Sequence, residues 1–171
     1  MDIYEAIRKR KSIRSFLDRP VEEEKLERIL EAARLAPSAR NVQEWRFLVV
    51  TDPGPRRRLI PAAARQGFVG EAPVIIVGCA ETDEHVMRCG EKSYPIDVAI
   101  AMEHIALAAA AEGLGTCWIG AFYQDQVKMT LNIPDEIKVV ELMPLGYPAD
   151  TAEAEKKRKP AEEIFRRDQW Q

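Results

Sequence analysis

The chain has 171 residues, of which 46% are hydrophobic and 31% charged, with a formal net charge of −3. This length supports one hydrophobic core, so we expect a single domain over residues 1–171, and the slight negative charge disfavours a nucleic-acid partner. The three cysteines have no CxxC spacing and suggest neither a disulfide framework nor a zinc site. Together with an N-terminus that shows no apolar signal core, they predict a reduced, cytoplasmic location.

The first predicted helix leads into a dense basic run. Asp2 and Glu5 form a capping pattern for a helix over 2–9. Residues 8–16 then read RKRKSIRSF. Cations at a helix end interact favourably with the helix dipole, so a solvated helix end is one interpretation. An anion site is the other, because arginine and serine side chains together bind phosphate oxygens.

The middle of the chain alternates helices and strands. A helix over 20–36 ends at Pro37, and the polar loop PSARNVQEW follows, which either connects two elements or carries side chains to a ligand. A strand over 46–51 and a helix over 56–66 come next, with the arginines at 56–58 expected on the exposed side. The continuous apolar run over 73–79 predicts a central strand.

Residues 80–95 show no clear period and are expected to form a mobile surface loop over a site. The acids near His85 form only a weak metal pattern, since one histidine lacks a second spaced ligand. Asp97 is predicted to cap a helix over 97–112, which is apolar almost all round and therefore needs cover on nearly every side. Within it, His104 is expected to be a hydrogen-bonded core histidine.

A glycine break, Gly113-Leu-Gly115, separates this helix from a predicted strand over 116–122. Because these glycines follow a helix and open a strand, they do not match the dinucleotide-binding fingerprint. Cys117 is expected to pack in the core rather than act as a nucleophile. A helix over 124–131 and a strand over 138–147 complete the fold. The charged tail 152–171 contains aromatic residues, which suggests that it docks on a partner chain.

Four separated segments together carry a family resemblance. They are RKRKSIRSF, PSARNVQEWRF, GLGTCWIGAF and IPDEIKVVELMPLGYPAD followed by KKRKP. In this order they resemble the nitroreductase family of FMN-dependent oxidoreductases. The resemblance implies an α+β fold with a mostly antiparallel sheet of four to five strands flanked by helices. It also implies an intertwined homodimer with FMN at the subunit interface and the apolar helix at the dimer centre.

The resemblance also implies which residues hold the flavin. Arg10, Ser12 and Arg14 match the family's phosphate and ribityl residues, and Lys11 matches a residue beside the flavin. The other matched positions comprise a second phosphate-binding pair, a segment that the partner subunit lays over the flavin, and a strand end at the isoalloxazine ring. The second phosphate-binding pair is Lys156 and Arg158. The segment laid over the flavin contains Pro37, Ser38, Ala39, Asn41 and Gln43, and the strand end consists of Ile119 and Gly120.

The activity implied is a hydride transfer from NADH or NADPH to FMN, followed by electron transfer to a nitroaromatic, quinone or flavin by a ping-pong mechanism. The flavin carries this chemistry, so no side chain is predicted to be catalytic and no metal is required. The alternatives are a flavin-binding protein without turnover and a dehalogenase or dehydrogenase variant of the same fold. One departure from the family pattern is Glu44, which stands where proline is usual.

Overall fold

The computed structural model describes residues 1–152 and 156–170. Within these residues the chain is α+β. Its helices are α1 (Ile3–Lys9), α2 (Glu23–Arg34), α3 (Pro53–Ala62), α4 (Phe68–Glu71), α5 (Ser93–Ala111), α6 (Gln124–Leu131) and α7 (Ala161–Ile164). Its strands are β1 (Trp45–Val50), β2 (Val74–Ala80), β3 (Gly115–Thr116) and β4 (Lys138–Gly146).

The four strands form one sheet in the order β1-β2-β4-β3, and every neighbouring pair is antiparallel. The predicted sheet type is therefore confirmed. All seven residues of β2 are buried, as its continuous apolar sequence predicted. Helices cover both faces, because α2 and α5 pack on one side while α3 and α6 enclose a second apolar cluster on the other.

The predicted strand over 116–122 is wrong in length, since β3 contains only two residues. The Cys117 amide donates to the Pro144 carbonyl at 3.3 Å. Pro144 has no amide hydrogen to return, so the ladder cannot continue there. The chain rejoins β4 at Ile119, whose amide donates to the Leu142 carbonyl at 3.0 Å and whose carbonyl accepts from the Leu142 amide at 3.2 Å.

The central helix begins four residues earlier than predicted, and Asp97 is not its N-cap. The first residue is Ser93, and Pro95 lies in the first turn. Proline is tolerated there because the first amides of a helix have no partner within the helix. By length and composition α5 could cross a membrane, but its buried residues pack against α2 and the sheet, as in the core helix of a folded domain. As predicted, His104 is hydrogen-bonded, because its ring Nδ1 donates to the Ala32 carbonyl at 3.0 Å, but the residue is half-buried rather than part of the core.

The segment between β2 and α5 is tied to its surroundings by polar contacts. The Glu84 carboxylate pairs with Lys138 at 2.6 Å and also with Lys92. These two lysines, Lys138 first, lower the pKa of Glu84 to about 2. In the part of the chain that the structure describes, no group of three histidine, cysteine or acidic residues is placed to hold a metal ion.

Three further local features can be compared with the sequence predictions: the cap of α1, the helix α4 and the exposure of Arg56. The cap of α1 is confirmed, because the Asp2 carboxylate accepts from the Glu5 amide at 2.8 Å. Helix α4 was not predicted. Arg56 is half-buried rather than exposed, and its guanidinium donates to the carbonyls of Gly70 and Ala72.

Candidate functional site

A cavity of about 460 Å³ lies between the end of α1, the last turns of α5 and the segment that follows β4. Its volume falls within the range of about 300–1,000 Å³ that is usual for small-molecule sites. The walls are basic on one side and apolar on the other. They are formed by Arg8, Lys9, Arg10, Lys11, Ile13, Ala106, Ala110, Gly113, Leu114, Gly115, Thr116, Pro148, Asp150, Thr151, Ala152 and Lys156.

Basic residues from the two ends of the chain meet at this cavity. The Lys11 ammonium donates to the Ala152 carbonyl, and the Lys156 ammonium donates to the Ile7 carbonyl. Burial, and then the positive charges of Arg10 and Arg158, lower the pKa of Lys156. Arg10, Lys156 and Arg158 therefore lie close enough to repel one another, and an anion bound among them would relieve that repulsion. We refer to Arg10, Lys11, Lys156 and Arg158 as the basic cluster.

The segment after the basic run lies alongside β3. The Ile13 amide donates to the Thr116 carbonyl at 2.8 Å, and Ser12 forms a parallel bridge with Thr116. Burial raises the pKa of the Cys117 thiol, and the charge of Arg14 and a hydrogen bond with Ser12 lower it by less. Cys117 is buried, as predicted. Ser12 and Arg14 thus border the same strand end that continues to Ile119 and Gly120.

The strand end at Ile119 and Gly120 has open space next to Gly120. Gly120 is exposed, and a Cβ added to it would meet nothing within 4 Å. Ile119 is buried and held by its two hydrogen bonds to Leu142. The residue before Gly120 is therefore anchored to β4, while Gly120 itself is exposed and leaves room for another molecule to approach its backbone.

Two acids near the basic cluster, Glu103 and Glu141, were not predicted from the sequence. In the middle of α5, the Glu103 carboxylate accepts from the Trp118 indole at 3.0 Å and lies 3.7 Å from the Arg10 guanidinium. Glu141 in β4 is only 3% exposed, and neither of its carboxyl oxygens has a hydrogen-bond partner among the described residues. Burial, and then the charge of Glu103, raise its pKa to about 9. The sequence feature that could have identified Glu141 is its position as the only charged residue in the apolar strand sequence VVELMPL.

The loop over 37–43 lies elsewhere on the subunit. The Ala39 amide donates to the Asp97 carboxylate, near the first turns of α5. Asp97 precedes the cavity residues Ala106 and Ala110 by 9 and 13 positions. At ~1.5 Å per residue this is roughly 14–20 Å along the helix. The described part of one subunit therefore brings Arg10, Lys11, Ser12, Arg14, Lys156 and Arg158 together. It does not bring the loop residues Pro37, Ser38, Ala39, Asn41 and Gln43 to them.

Comparisons with known proteins identify the fold and the family of the chain. A solved structure of a nitroreductase family protein from Clostridium novyi NT superimposes with a TM-score of 0.83, at 41% identity, over 88% of this chain and 87% of that one. An FMN-dependent nitroreductase from Clostridium difficile R20291 has a TM-score of 0.83 at 29% identity, over 96% and 98%. An FMN reductase [NAD(P)H] of Bacillus subtilis is 30% identical over 181 residues, covering 95% of this chain and 72% of its own length. The Nitroreductase family pattern matches residues 7–67 and 60–147, and the chain belongs to the nitroreductase family.

Proposed function

We propose that this protein is an FMN-dependent oxidoreductase that uses NADH or NADPH to reduce a small oxidant such as a nitroaromatic, a quinone or a flavin. The observation that carries the proposal is the convergence of Arg10, Lys11 and Lys156 on a cavity of about 460 Å³, with Arg158 near Lys156. The family membership and the FMN-dependent relatives support it. FMN, when bound, supplies the redox chemistry by accepting a hydride and passing on electrons.

The residues present suit this cofactor. A flavin phosphate carries up to two negative charges, and Arg10, Lys156 and Arg158 supply cationic donors for it. We assign Ser12 and Arg14 to the ribityl chain and Lys11 to a position beside the flavin, as the family resemblance implies. The open backbone at Gly120 suits the approach of the isoalloxazine ring, where the amide can donate to a ring nitrogen. In this proposal the side chains bind and orient the flavin, and none of them acts as an acid, base or nucleophile.

We infer that the functional unit is a homodimer in which each loop over 37–43 covers the flavin of the other subunit. The separation of that loop from the basic cluster of its own subunit supports this arrangement. The outward side of α5 also carries Ile96, which is 43% exposed, and a second subunit would cover it. We infer a single domain over residues 1–171 and a cytoplasmic location, consistent with three free cysteines.

The tail 152–171 is proposed to dock on the partner subunit. Phe165 is exposed, and Trp170 is 93% exposed on its own subunit. Exposure of two large aromatic side chains in one short segment is typical of a surface that another chain covers. Residues 153–155 and 171 of the predicted tail lie outside the described residues.

The test of the function is an absorbance spectrum of the purified protein followed by anaerobic titration with NADH and with NADPH. We expect a flavin spectrum that bleaches with one or both donors, and parallel double-reciprocal plots when an acceptor is varied. A protein that stays colourless after reconstitution with FMN contradicts the proposal. Bound FMN without turnover on a panel of acceptors favours the flavin-binding alternative, and turnover of halogenated substrates favours the dehalogenase variant.

Replacing Gly120 with leucine is expected to weaken FMN binding at least about tenfold while leaving the melting temperature nearly unchanged. The side chain finds open space in the protein alone, so folding loses little. The same space is the proposed position of the ring, so the side chain and the ring exclude each other. FMN affinity can be measured by quenching of flavin fluorescence.

Gly67→Leu is the matched control, because Gly67 is also exposed and a Cβ there also meets nothing within 4 Å. It should bind FMN like the wild type. Equal affinity of the Gly120 variant and the wild type would show that the ring does not approach this strand end.

A further inference from the structure

The loop over 38–43 has an unfavourable backbone conformation. It contains a single 3₁₀ turn over Ala39–Asn41, and three of its residues have positive φ: Arg40 at 52°, Asn41 at 56° and Gln43 at 57°. Side chains other than glycine adopt this region at a cost, and they persist there only when the surroundings hold them. Such residues cluster at ligand sites, so the contacts that hold this loop bear on its function.

One contact holds the start of the loop. Asp97 is only 4% exposed, and its two carboxylate oxygens accept from the Ala39 amide at 3.1 and 3.2 Å. A carboxylate removed from water interacts strongly with the amide that it faces. The loop thus begins at a position determined by the first turns of α5.

A second contact holds the end of the loop. Glu44 is only 6% exposed; Oε1 accepts from the Thr82 hydroxyl at 2.6 Å, and Oε2 accepts from the Ser93 hydroxyl at 3.3 Å. A proline at this position, as is usual in the family, could make neither contact. Ser93 and Asp97 are four residues apart in α5, which places them on the same side of the helix.

Between these two contacts the loop is closed by its own polar groups. The Gln43 amide donates to the Ser38 hydroxyl oxygen at 3.0 Å, and the Gln43 side chain donates to the Asn41 carbonyl at 3.2 Å. The side chains of Asn41, Val42 and Gln43 are nevertheless exposed. The loop is held at both ends and presents its middle residues outward.

We infer that Asp97 and Glu44 are positioning residues that hold this loop in the shape needed to cover a flavin. The inference rests on the proposed function. Neither acid touches the cofactor in this scheme; each acts through the loop backbone, at opposite ends of the strained segment. Pre-organisation of this kind improves binding because the loop does not have to be ordered when the flavin binds.

The test compares Asp97→Ala with Asp97→Asn. Alanine removes the acceptor for the Ala39 amide, and we expect the dissociation constant for FMN to rise about tenfold. Asparagine retains one acceptor oxygen and should stay within about threefold of wild type. Hydrogen exchange of the peptide over 36–43, measured without FMN, should be faster in Asp97→Ala than in wild type. A purely structural role would not produce exchange changes confined to that peptide.

Glu44→Ala and Glu44→Gln repeat the comparison at the other end of the loop. The control is Asp52, whose carboxylate also accepts a backbone amide, from Gly54 at 2.7 Å, but at the start of α3. Asp52→Ala should leave both the FMN affinity and the exchange of 36–43 unchanged. Wild-type protein that binds no FMN would reject the proposed function and this role together. Equally tight binding by wild type, Asp97→Ala and Glu44→Ala would reject the positioning role alone.

Discussion

Arg10→Ala is expected to weaken FMN binding by about 10- to 100-fold, the effect of losing one charged hydrogen-bond donor to a phosphate. Arg10 is half-buried at the cavity and lies close enough to Lys156 to lower its pKa. Its loss removes a positive charge where the basic cluster is most crowded. The dissociation constant can be measured by fluorescence quenching, and the FMN content of the purified protein gives a second readout.

Arg57→Ala is the control, because Arg57 is an exposed arginine of α3 and does not line the cavity. It should leave FMN affinity within about twofold of wild type, as expected for an exposed charge outside the site. Equal losses in the two variants would mean that the phosphate does not bind at the basic cluster.

Mixing Arg10→Ala with Asp97→Ala in one dimer extends this prediction to the arrangement of subunits. If the loop of one subunit covers the flavin of the other, the Asp97→Ala subunit keeps its own Arg10 and receives an intact loop from its partner. Isolated mixed dimers should then bind one FMN tightly per dimer. If each loop covers its own flavin, both sites are defective and no tight binding returns.

Glu141→Leu should raise the free energy of unfolding by about 3 kcal/mol near pH 7. The carboxyl is buried without a hydrogen-bond partner among the described residues, and its pKa is raised to about 9. In the unfolded chain the carboxyl ionises near its ordinary pKa of 4.5. Between these two values the folded protein holds a proton that the unfolded chain has lost. The contribution of Glu141 to stability is therefore greatest below about pH 4.5, falls by about 1.4 kcal/mol per pH unit above that value, and levels off above about pH 9.

Glu141→Gln isolates the titration from the packing. It should remove this part of the pH dependence while keeping a polar side chain in the same place. Urea unfolding between pH 5 and 9 provides the measurement, and Glu136→Gln, at an exposed position, should retain the wild-type slope. If wild type and Glu141→Gln have the same slope, the carboxyl of Glu141 is not held neutral in the folded protein.

Local patterns in the sequence predicted much of the fold. The capping pattern at Asp2, the apolar run that became β2 and the bounds of α6 all agree with the structure. These features depend on neighbours in sequence, such as a carboxylate three residues before an amide or a run of buried side chains. The family resemblance also named both halves of the basic cluster before the structure brought them together.

The errors occurred where a distant residue decides the outcome. Strand β3 stops early because its partner strand presents Pro144, which has no amide hydrogen to donate. Asp97 is a residue type that commonly caps helices, but α5 begins earlier because Pro95 is tolerated in its first turn. The Asp97 carboxylate instead accepts a hydrogen bond from the amide of Ala39, 58 positions away in the sequence. Neither partner is identifiable from local sequence.

By itself, the sequence determined the family, the order of the strands and of the helices other than the four-residue α4 and α7, and the residue types that a flavin phosphate requires. Only the tertiary structure decided which of these residues meet. It placed Lys156 beside Arg10 and buried Glu141 next to Glu103. It also separated the loop over 37–43 from the cavity of its own subunit. The physical reason is that charge repulsion, desolvation and hydrogen bonding depend on distances in space, which chain order does not contain.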